Sequence, residues 1–276
     1  MMGARAKRVD TSYAEVIGDP IAHSKSPAIH NHWLRMLGKD ARYRAQHVRP
    51  DALQPYLMQS RADPAWRGCN VTIPHKQAVL PLVDDHSAAV QAIGAANTLV
   101  MRDGRLVAHN TDADGFAAPL SGRSLQGETA IVIGAGGAAR AVLHALSARG
   151  IAAAIIVNRT RDRAAALLKS FALDGDVLAP GDALPPAALL VNASSLGMSG
   201  QAPLDIDLSS LPPSALVYDI VYDPLETPLL AAARARGLAV IDGLAMLIGQ
   251  ARTAFELFFD TPAPGGDSDL RRMLTS

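Results

Sequence analysis

The amino-acid sequence predicts an α/β protein with two domains, and three observations support this prediction. Short apolar runs rich in β-branched residues alternate with helical patterns along most of the chain, which is typical of βαβ units with a mostly parallel sheet. About ten such runs are more than one sheet of a single domain usually holds. A glycine-rich turn after residues 129–133 restarts the alternation. We therefore expect two sheets and a division of the chain near residue 113.

The apolar runs and the helical patterns give the predicted elements in order. The predicted strands are residues 12–17, 43–48, 68–72, 97–101, 105–109, 129–133, 153–157, 189–192, 215–219 and 238–241. The predicted helices are residues 27–37, 51–59, 86–93, 137–149, 161–172, 226–236 and 244–259, with a short last helix from Leu270 to Thr275. Ser26 is expected to cap the first helix, Pro27 to open it and Gly38 to follow its end. Asp103-Gly104 predicts a hairpin turn, and the helix at 244–259 is expected to pack back onto the first domain.

The composition excludes several classes of protein. Hydrophobic residues make up 49% of the 276 residues and charged residues 19%, with a formal net charge of zero. This is a globular composition without the basic field that nucleic-acid binding requires. A single cysteine, Cys69, excludes an internal disulfide and fits a reducing compartment. No secretory signal and no membrane-spanning run are found, so we expect a cytoplasmic protein that binds neither nucleic acid nor membranes.

The turn after residues 129–133 predicts a dinucleotide site. Its sequence, GAGGAAR, places Gly134, Ala135, Gly136, Gly137 and Ala138 between a strand and a helix. In the pattern G-x-G-x-x-A, the glycines permit a tight turn and a close approach of the backbone to a pyrophosphate, and the helix start offers free N–H groups. The alternative is an ordinary tight connection between a strand and a helix.

The next strand ends in a polar segment that indicates which dinucleotide binds. NAD-binding chains usually have an acidic residue there, which binds the ribose hydroxyls. This chain has Asn158, Arg159 and Thr160, with Arg163 one helical turn further on. Guanidinium groups pair well with a phosphate, so NRTRDR predicts a 2′-phosphate pocket and NADP as the cofactor. The alternative is a solvated helix start that happens to be basic.

Polar residues also cluster in the first half of the chain. Ser24 and Ser26, in GDPIAHSKSP, share one face of an extended segment and could hold a carboxylate or hydroxyl groups of a ligand. In NVTIPHK, Asn70 and Thr72 stand at a strand end and Lys76 follows, a position where ligands bind in α/β sheets. Helix capping by Ser26 and a solvated Lys76 are the alternatives.

Two further motifs flank the predicted hairpin. GAANT contains Asn97 and HNTDADG contains Asp112. If Lys76 and Asp112 meet, an amine beside a carboxylate forms a proton-transfer pair. The alternative for Asp112 is a simple N-cap of a helix over residues 113–121.

Taken together, these motifs resemble one enzyme family. GDPIAHSKSP, NVTIPHK, GAANT, NTDADG, GAGGAAR, NRT, NASSLGM and GLAMLIGQA occur in this order between Tyr13 and Phe258. The chain resembles the shikimate dehydrogenases of the biosynthetic, NADP-dependent type. The resemblance implies a substrate-binding domain at residues 1–112 plus 243–276 and a Rossmann-type NADP domain at residues 113–242. It also implies hydride transfer between the cofactor and the ring of 3-dehydroshikimate or shikimate, in the pathway that supplies chorismate for aromatic amino acids.

The resemblance assigns a role to each motif residue. Lys76 and Asp112 would be the catalytic pair, and Ser24 and Ser26 would bind the substrate carboxylate. The ring oxygens would be bound by Asn70, Thr72, Asn97 and Gln250. Tyr222 would line the substrate side, and Ile220 and Gly243 would lie near the nicotinamide through their main chains. No metal is expected. Ala108 and Ser194 replace the glycine and threonine common in the family, and neither position is a proposed catalytic group.

Three alternatives remain open at this point. An NAD-dependent quinate/shikimate dehydrogenase is disfavoured by Asn158-Arg159 and by the serine pair. A sensor that binds NADP(H) without turnover would not need both Lys76 and Asp112. A folate-metabolising dehydrogenase of related fold would not require NVTIPHK. A monomer and a homodimer are both compatible with the sequence.

Overall fold

The computed structural model describes residues 11–275, and its strands form two six-stranded sheets. The first sheet is mixed and has the order β2-β1-β3-β5-β6-β4. Its strands are β1 (Ser12–Gly18), β2 (Ala41–His47), β3 (Trp66–Val71), β4 (Asp85–His86), β5 (Thr98–Arg102) and β6 (Arg105–His109). The helices of this half are α1 (Ser26–Met36), α2 (Leu53–Arg61), α3 (Ala88–Ile93) and α4 (Asp112–Ala117).

The second sheet is parallel throughout and has the order β12-β11-β10-β7-β8-β9. Its strands are β7 (Thr129–Ile133), β8 (Ala153–Val157), β9 (Val177–Leu178), β10 (Leu189–Asn192), β11 (Leu216–Asp219) and β12 (Ala239–Ile241). The remaining helices are α5 (Gly137–Ala148), α6 (Arg161–Ser170), α7 (Pro228–Ala235), α8 (Gly243–Phe259) and α9 (Asp267–Thr275). The chain order reverses between β7 and β10, which is the place where an open α/β sheet binds ligands.

The predicted fold class is confirmed, with local corrections. The hairpin of β5 and β6 turns at Asp103 and Gly104, which both have positive φ. The predicted helix at 86–93 is wrong at its start, because residues 85–86 pair with β6 before α3 begins. The last helix begins at Asp267, three residues before Leu270. Ser26 is the first residue of α1 and its side chain makes no capping hydrogen bond; the hydroxyl of Ser24 instead accepts one from the Ser26 N–H, at 3.3 Å.

Helix α8 returns to the first domain, as predicted. Its apolar face joins a cluster that contains residues of β1 and α1, including Val16, Ile29 and Trp33. Phe255 is fully buried in this cluster. The return places the residues of α8 beside α4, so that the last long helix completes the region around Asp112. In residues 11–275, no helix has the length and apolar character needed to cross a bilayer.

Candidate active site

Lys76, in the segment after β3, and Asp112, at the start of α4, form a direct ion pair. Nζ of Lys76 lies 2.5 Å from Oδ2 of Asp112, and the side chains are 16% and 8% exposed. Asp112 is the first residue of α4, and Thr111 occupies the cap position. The alternative in which Asp112 serves only as an N-cap is therefore wrong, because its carboxylate contacts side chains. The pair is poorly solvated, so its charges interact more strongly than on an open surface.

Asn97 connects this pair to the first sheet. Its Nδ2 donates to Oδ1 of Asp112 at 2.9 Å and to Oγ1 of Thr111 at 3.0 Å. Its Oδ1 accepts a 2.7 Å hydrogen bond from the N–H of Thr111. Both ends of the buried amide are thus used, which fixes its orientation. Oε1 of Gln250 lies 3.5 Å from Nδ2 of Asn97 and brings α8 into the same cluster.

A hydrogen bond from a buried tyrosine holds the side chain of Asn70. The hydroxyl of Tyr43 donates to Oδ1 of Asn70 at 2.5 Å, and Nδ2 of Asn70 donates to Oγ1 of Thr98 at 2.9 Å. Thr98 in turn donates to Oδ1 of Asn97 at 3.1 Å. A continuous hydrogen-bond network therefore links Asn70 with Asp112 and Lys76. Tyr43, Thr98 and Thr111 were not predicted from the sequence. The two threonines adjoin Asn97 and Asp112 in the motifs, whereas Tyr43 stands in no motif.

A glycine–glycine contact sets how α4 and α8 approach each other. A Cβ on Gly115 would lie 2.6 Å from the N of Gln250, and one on Gly249 would lie 2.9 Å from the Cα of Gly115. Real side chains do not tolerate such distances, so only glycine permits the two helix backbones to lie this close. This contact brings Gln250 on α8 close to Asp112 at the start of α4.

The other predicted substrate residues lie at chain segments that follow β1, β3 and β11. Ser24 and Ser26 are joined by their own hydrogen bond. The methyl group of Thr72 packs at Gly18, where a Cβ would lie 2.5 Å from it. Tyr222 is partly buried against the cluster that holds α8. These four residues make no direct hydrogen bond with Lys76 or Asp112 in the described part of the chain.

The glycine-rich turn has the form that a pyrophosphate requires. Gly134 has φ +101°, which favours glycine, and a Cβ there would lie 3.1 Å from the carbonyl oxygen of Ala193. Gly136 has open space where its side chain would be, and α5 begins at Gly137. Ala135 is buried while Ala138 is partly exposed. An accessible backbone at a helix N-terminus suits a phosphate group.

This turn also contacts Lys76. A Cβ on Gly137 would lie 3.4 Å from Cδ of Lys76. The glycine-rich turn after β7 therefore lies next to the side chain of Lys76.

The basic segment after β8 is exposed to solvent. Arg159, Thr160 and Arg163 are exposed, and Nδ2 of Asn158 donates to the carbonyl oxygen of Thr160 at 2.9 Å. Within residues 11–275, neither Arg159 nor Arg163 makes an ion pair or a side-chain hydrogen bond. Two unpaired guanidinium groups beside the glycine-rich turn fit the 2′-phosphate of NADP.

Ile220, directly after β11, meets Gly243, the first residue of α8. A Cβ on Gly243 would lie 2.4 Å from the carbonyl oxygens of Ile220 and Val221, so this main-chain contact requires glycine. Buried Asp219 supports the segment, because it accepts hydrogen bonds from Asn192 at 2.9 Å and Thr227 at 2.6 Å. Burial raises the pKa of Asp219, and these hydrogen bonds oppose that shift.

Burial also raises the pKa of Tyr222, and the carboxylate of Asp223 raises it further. The Tyr222 hydroxyl thus keeps its proton near neutral pH and can donate a hydrogen bond. Among the described residues, no three His, Cys, Asp or Glu side chains group as metal ligands would.

The fold and the site define a class of protein: a two-domain oxidoreductase that uses a nicotinamide dinucleotide. Comparison with known proteins specifies the family. Residues 16–99 match the shikimate dehydrogenase substrate binding domain, and residues 117–179 match the shikimate / quinate 5-dehydrogenase family. A shikimate dehydrogenase (NADP(+)) of Sphingopyxis alaskensis is 58% identical over 266 residues, 96% of this chain and 97% of that protein.

Two solved structures show the same architecture. Shikimate 5-dehydrogenase from Thermus thermophilus, in complex with NADP(H) and shikimate, is 38% identical with a TM-score of 0.82, covering 92% of this chain and 95% of that one. Quinate dehydrogenase from Corynebacterium glutamicum, in complex with NAD, is 29% identical with a TM-score of 0.83, covering 96% and 98%. The chain belongs to the shikimate dehydrogenase family and is an NADP-dependent oxidoreductase of aromatic biosynthesis.

Proposed function

We infer that this chain interconverts 3-dehydroshikimate and shikimate with NADP(H), and we propose that Lys76 and Asp112 carry out the proton transfer. One observation supports this assignment above the others. The 2.5 Å ion pair of Lys76 and Asp112 stands directly beside Gly137, where the glycine-rich turn enters α5. A proton donor thus lies at the border between the proposed nucleotide site and the proposed substrate domain.

The chemistry divides between the cofactor and these side chains. NADPH supplies the hydride that reduces the ring ketone. Lys76 faces the carbonyl oxygen, stabilises the negative charge that develops there and donates a proton from Nζ, so that the product carries a hydroxyl group. Asp112 holds the amine in place through Oδ2, and Asn97 holds Asp112 through Oδ1. In the oxidative direction, Lys76 accepts the hydroxyl proton.

The remaining polar residues would orient the ring. We propose that Ser24 and Ser26 bind the carboxylate, and that Thr72, Gln250 and Tyr222 bind ring oxygens. Asn70 would act through its Oδ1 as an acceptor for a substrate hydroxyl, because Thr98 and the Asn97 carbonyl take its Nδ2 protons. Apart from Tyr222, these residues belong to the proposed substrate domain, residues 1–112 plus 243–276.

The proposed cofactor domain, residues 113–242, would hold NADP along the second sheet. Residues 134–138 would bind the pyrophosphate, and the main chains of Ile220 and Gly243 would lie near the nicotinamide. The 2′-phosphate would be bound by Asn158, Arg159, Thr160 and Arg163. This segment carries no acidic side chain between Asn158 and Arg161, which supports NADP over NAD.

We further propose that the protein works in the cytoplasm as a monomer or homodimer, without nucleic-acid or membrane partners. The free thiol of Cys69 is buried, which is compatible with a reducing compartment. Light scattering of the purified protein distinguishes the two oligomeric states.

Product analysis tests the proposed function. Purified protein with shikimate and NADP should form equimolar 3-dehydroshikimate and NADPH, and quinate in place of shikimate should give much slower turnover. Protein that binds NADPH but converts neither substrate would contradict the enzymatic assignment and favour a sensor.

A further inference from the structure

Arg140 ends the motif GAGGAAR, and the function proposed above gives it no role. It is the fourth residue of α5, the helix that begins at Gly137. Its Nε donates a hydrogen bond to the carbonyl oxygen of Ile93, the last residue of α3. One guanidinium therefore connects the helix of the glycine-rich turn with the half of the molecule that carries Lys76.

The packing around Arg140 leaves it little freedom. Gly94 follows α3 with φ +68°, and a Cβ there would lie 2.7 Å from Nη2 of Arg140. On the other side, Cζ of Arg140 lies 5.6 Å from the ring centroid of Phe171. A cation at the C-terminal carbonyl groups of a helix is electrostatically favourable. Arg140 is thus fixed between α3 and Phe171.

Arg140 contacts the start of residues 93–97, a segment that is hydrogen-bonded to both members of the proposed catalytic pair. The N–H of Ala96 donates to the carbonyl oxygen of Lys76 at 2.8 Å. The side chain of Asn97 donates to Asp112 at 2.9 Å. The segment therefore contacts the main chain of Lys76 and the carboxylate of Asp112, so its position affects both members of the pair.

We propose that Arg140 is a positioning residue that holds residues 93–97, and through them the Lys76–Asp112 pair, against the helix of the glycine-rich turn. The inference rests on the proposed function, because it requires that this pair transfers the proton. It separates the affinity for the cofactor, which Arg159 and Arg163 would provide, from the rate of the bound complex, which Arg140 supports.

The test compares two arginines of one helix region. Arg149, directly after α5, also donates to backbone carbonyl groups, those of Leu120 and Arg123, but it does not contact residues 93–97. Arg140→Met and Arg149→Met each remove one such arginine. For both variants and the wild type, kcat with shikimate and NADP is measured alongside the Kd of NADPH by fluorescence titration.

We expect Arg140→Met to lower kcat about tenfold, since small displacements of catalytic groups have effects of at least this order. The Kd of NADPH should change by less than about threefold, in the range of a weakened neighbouring contact. Arg149→Met should leave kcat unchanged. An unchanged kcat in Arg140→Met, a raised Kd without a change in kcat, or equal losses of kcat in both variants would each overturn the proposal.

Arg140→Lys provides a second test, because an amine can still donate a hydrogen bond toward the carbonyl oxygen of Ile93. This variant should recover part of the kcat that Arg140→Met loses. A kcat in Arg140→Lys no higher than that of Arg140→Met would overturn the proposal. A wild type that does not oxidise shikimate would refute the proposed function itself, whereas an active wild type matched by Arg140→Met refutes only the role of Arg140.

Discussion

Asn97 donates a 2.9 Å hydrogen bond from Nδ2 to Oδ1 of Asp112, which leaves Oδ2 of that carboxylate to Lys76. The two oxygens of Asp112 thus have separate partners, and the direction of the carboxylate is set before any ligand binds. The amide of Asn97 cannot turn around, because its Oδ1 accepts from the N–H of Thr111.

We therefore predict that Asn97→Ala lowers kcat by about ten- to a hundredfold, since a hydrogen bond to a charged group contributes roughly 1.5–3 kcal/mol. Steady-state kinetics with shikimate and NADP measure this change. Gln91→Ala, which removes an exposed amide from α3, is the control and should behave as the wild type. Full activity of Asn97→Ala would show that Asp112 needs no such support.

Arg163 is predicted to discriminate between the two dinucleotides. Arg163 has no intramolecular ion pair within residues 11–275. Arg163→Ala should therefore raise KM for NADP about tenfold or more, as loss of a charge-assisted contact does. KM for NAD should hardly change. Lys169→Ala, in the last turn of the same helix, is the control. An equal rise of both KM values would refute a specific contact with the 2′-phosphate.

The close contact of Gly249 with Gly115 is predicted to stabilise the folded protein. Alanine is favoured over glycine within a helix by about 1 kcal/mol, but a Cβ on Gly249 would lie 2.9 Å from Cα of Gly115. Overpacking of this kind costs about 1–3 kcal/mol, so Gly249→Ala should lower the free energy of unfolding. Urea denaturation measures it. Gly122→Ala, which has no atom within 4 Å of the added Cβ, should not destabilise the protein.

His30 is predicted to make stability depend on pH. Its ring stacks on Tyr43 with centroids 4.0 Å apart, and burial lowers its pKa from 6.5 to about 3. Between these values the unfolded chain binds a proton that the folded chain does not. This group therefore lowers the free energy of unfolding by roughly 1.4 kcal/mol for each pH unit from 6.5 down to about 3, and has no effect above 6.5.

The variant His30→Phe should reduce this acid sensitivity. Urea denaturation at one pH above 6.5 and at one between 6.5 and about 3 gives the slope for wild type and variant. A shallower slope in the variant is expected. Equal slopes would mean that His30 is not the group that takes up the proton.

Much of the fold could be predicted because buried parallel strands appear as continuous apolar runs. The predicted strands at 129–133, 153–157 and 189–192 have the observed bounds of β7, β8 and β10. Strands β4 and β9 span two residues each, too few for any periodicity. Strand β2 begins at Ala41, two residues earlier than predicted, because its sequence ARYRAQH is largely polar and exposed.

The residues of the site could be predicted from the sequence, but their hydrogen bonds and packing contacts could not. Lys76 and Asp112 stand in motifs at chain segments where a sheet binds ligands, so their chemistry could be inferred. The role of Thr98 depends on strand register, which places it opposite both Asn70 on β3 and His109 on β6. The close approach of Gly115 and Gly249 depends on how two helices distant in sequence cross. Neither arrangement has a local sequence pattern.

The most direct test of the account is to replace Lys76 and to measure turnover and binding separately. Lys76→Met should lower kcat for NADP-dependent oxidation of shikimate at least about a hundredfold, the usual effect of losing a general acid–base group. The affinity for NADPH should stay within about threefold, and Gln77→Met, at the exposed neighbouring position, should keep the wild-type rate. Near wild-type turnover by Lys76→Met would contradict the assignment of Lys76 as the proton donor.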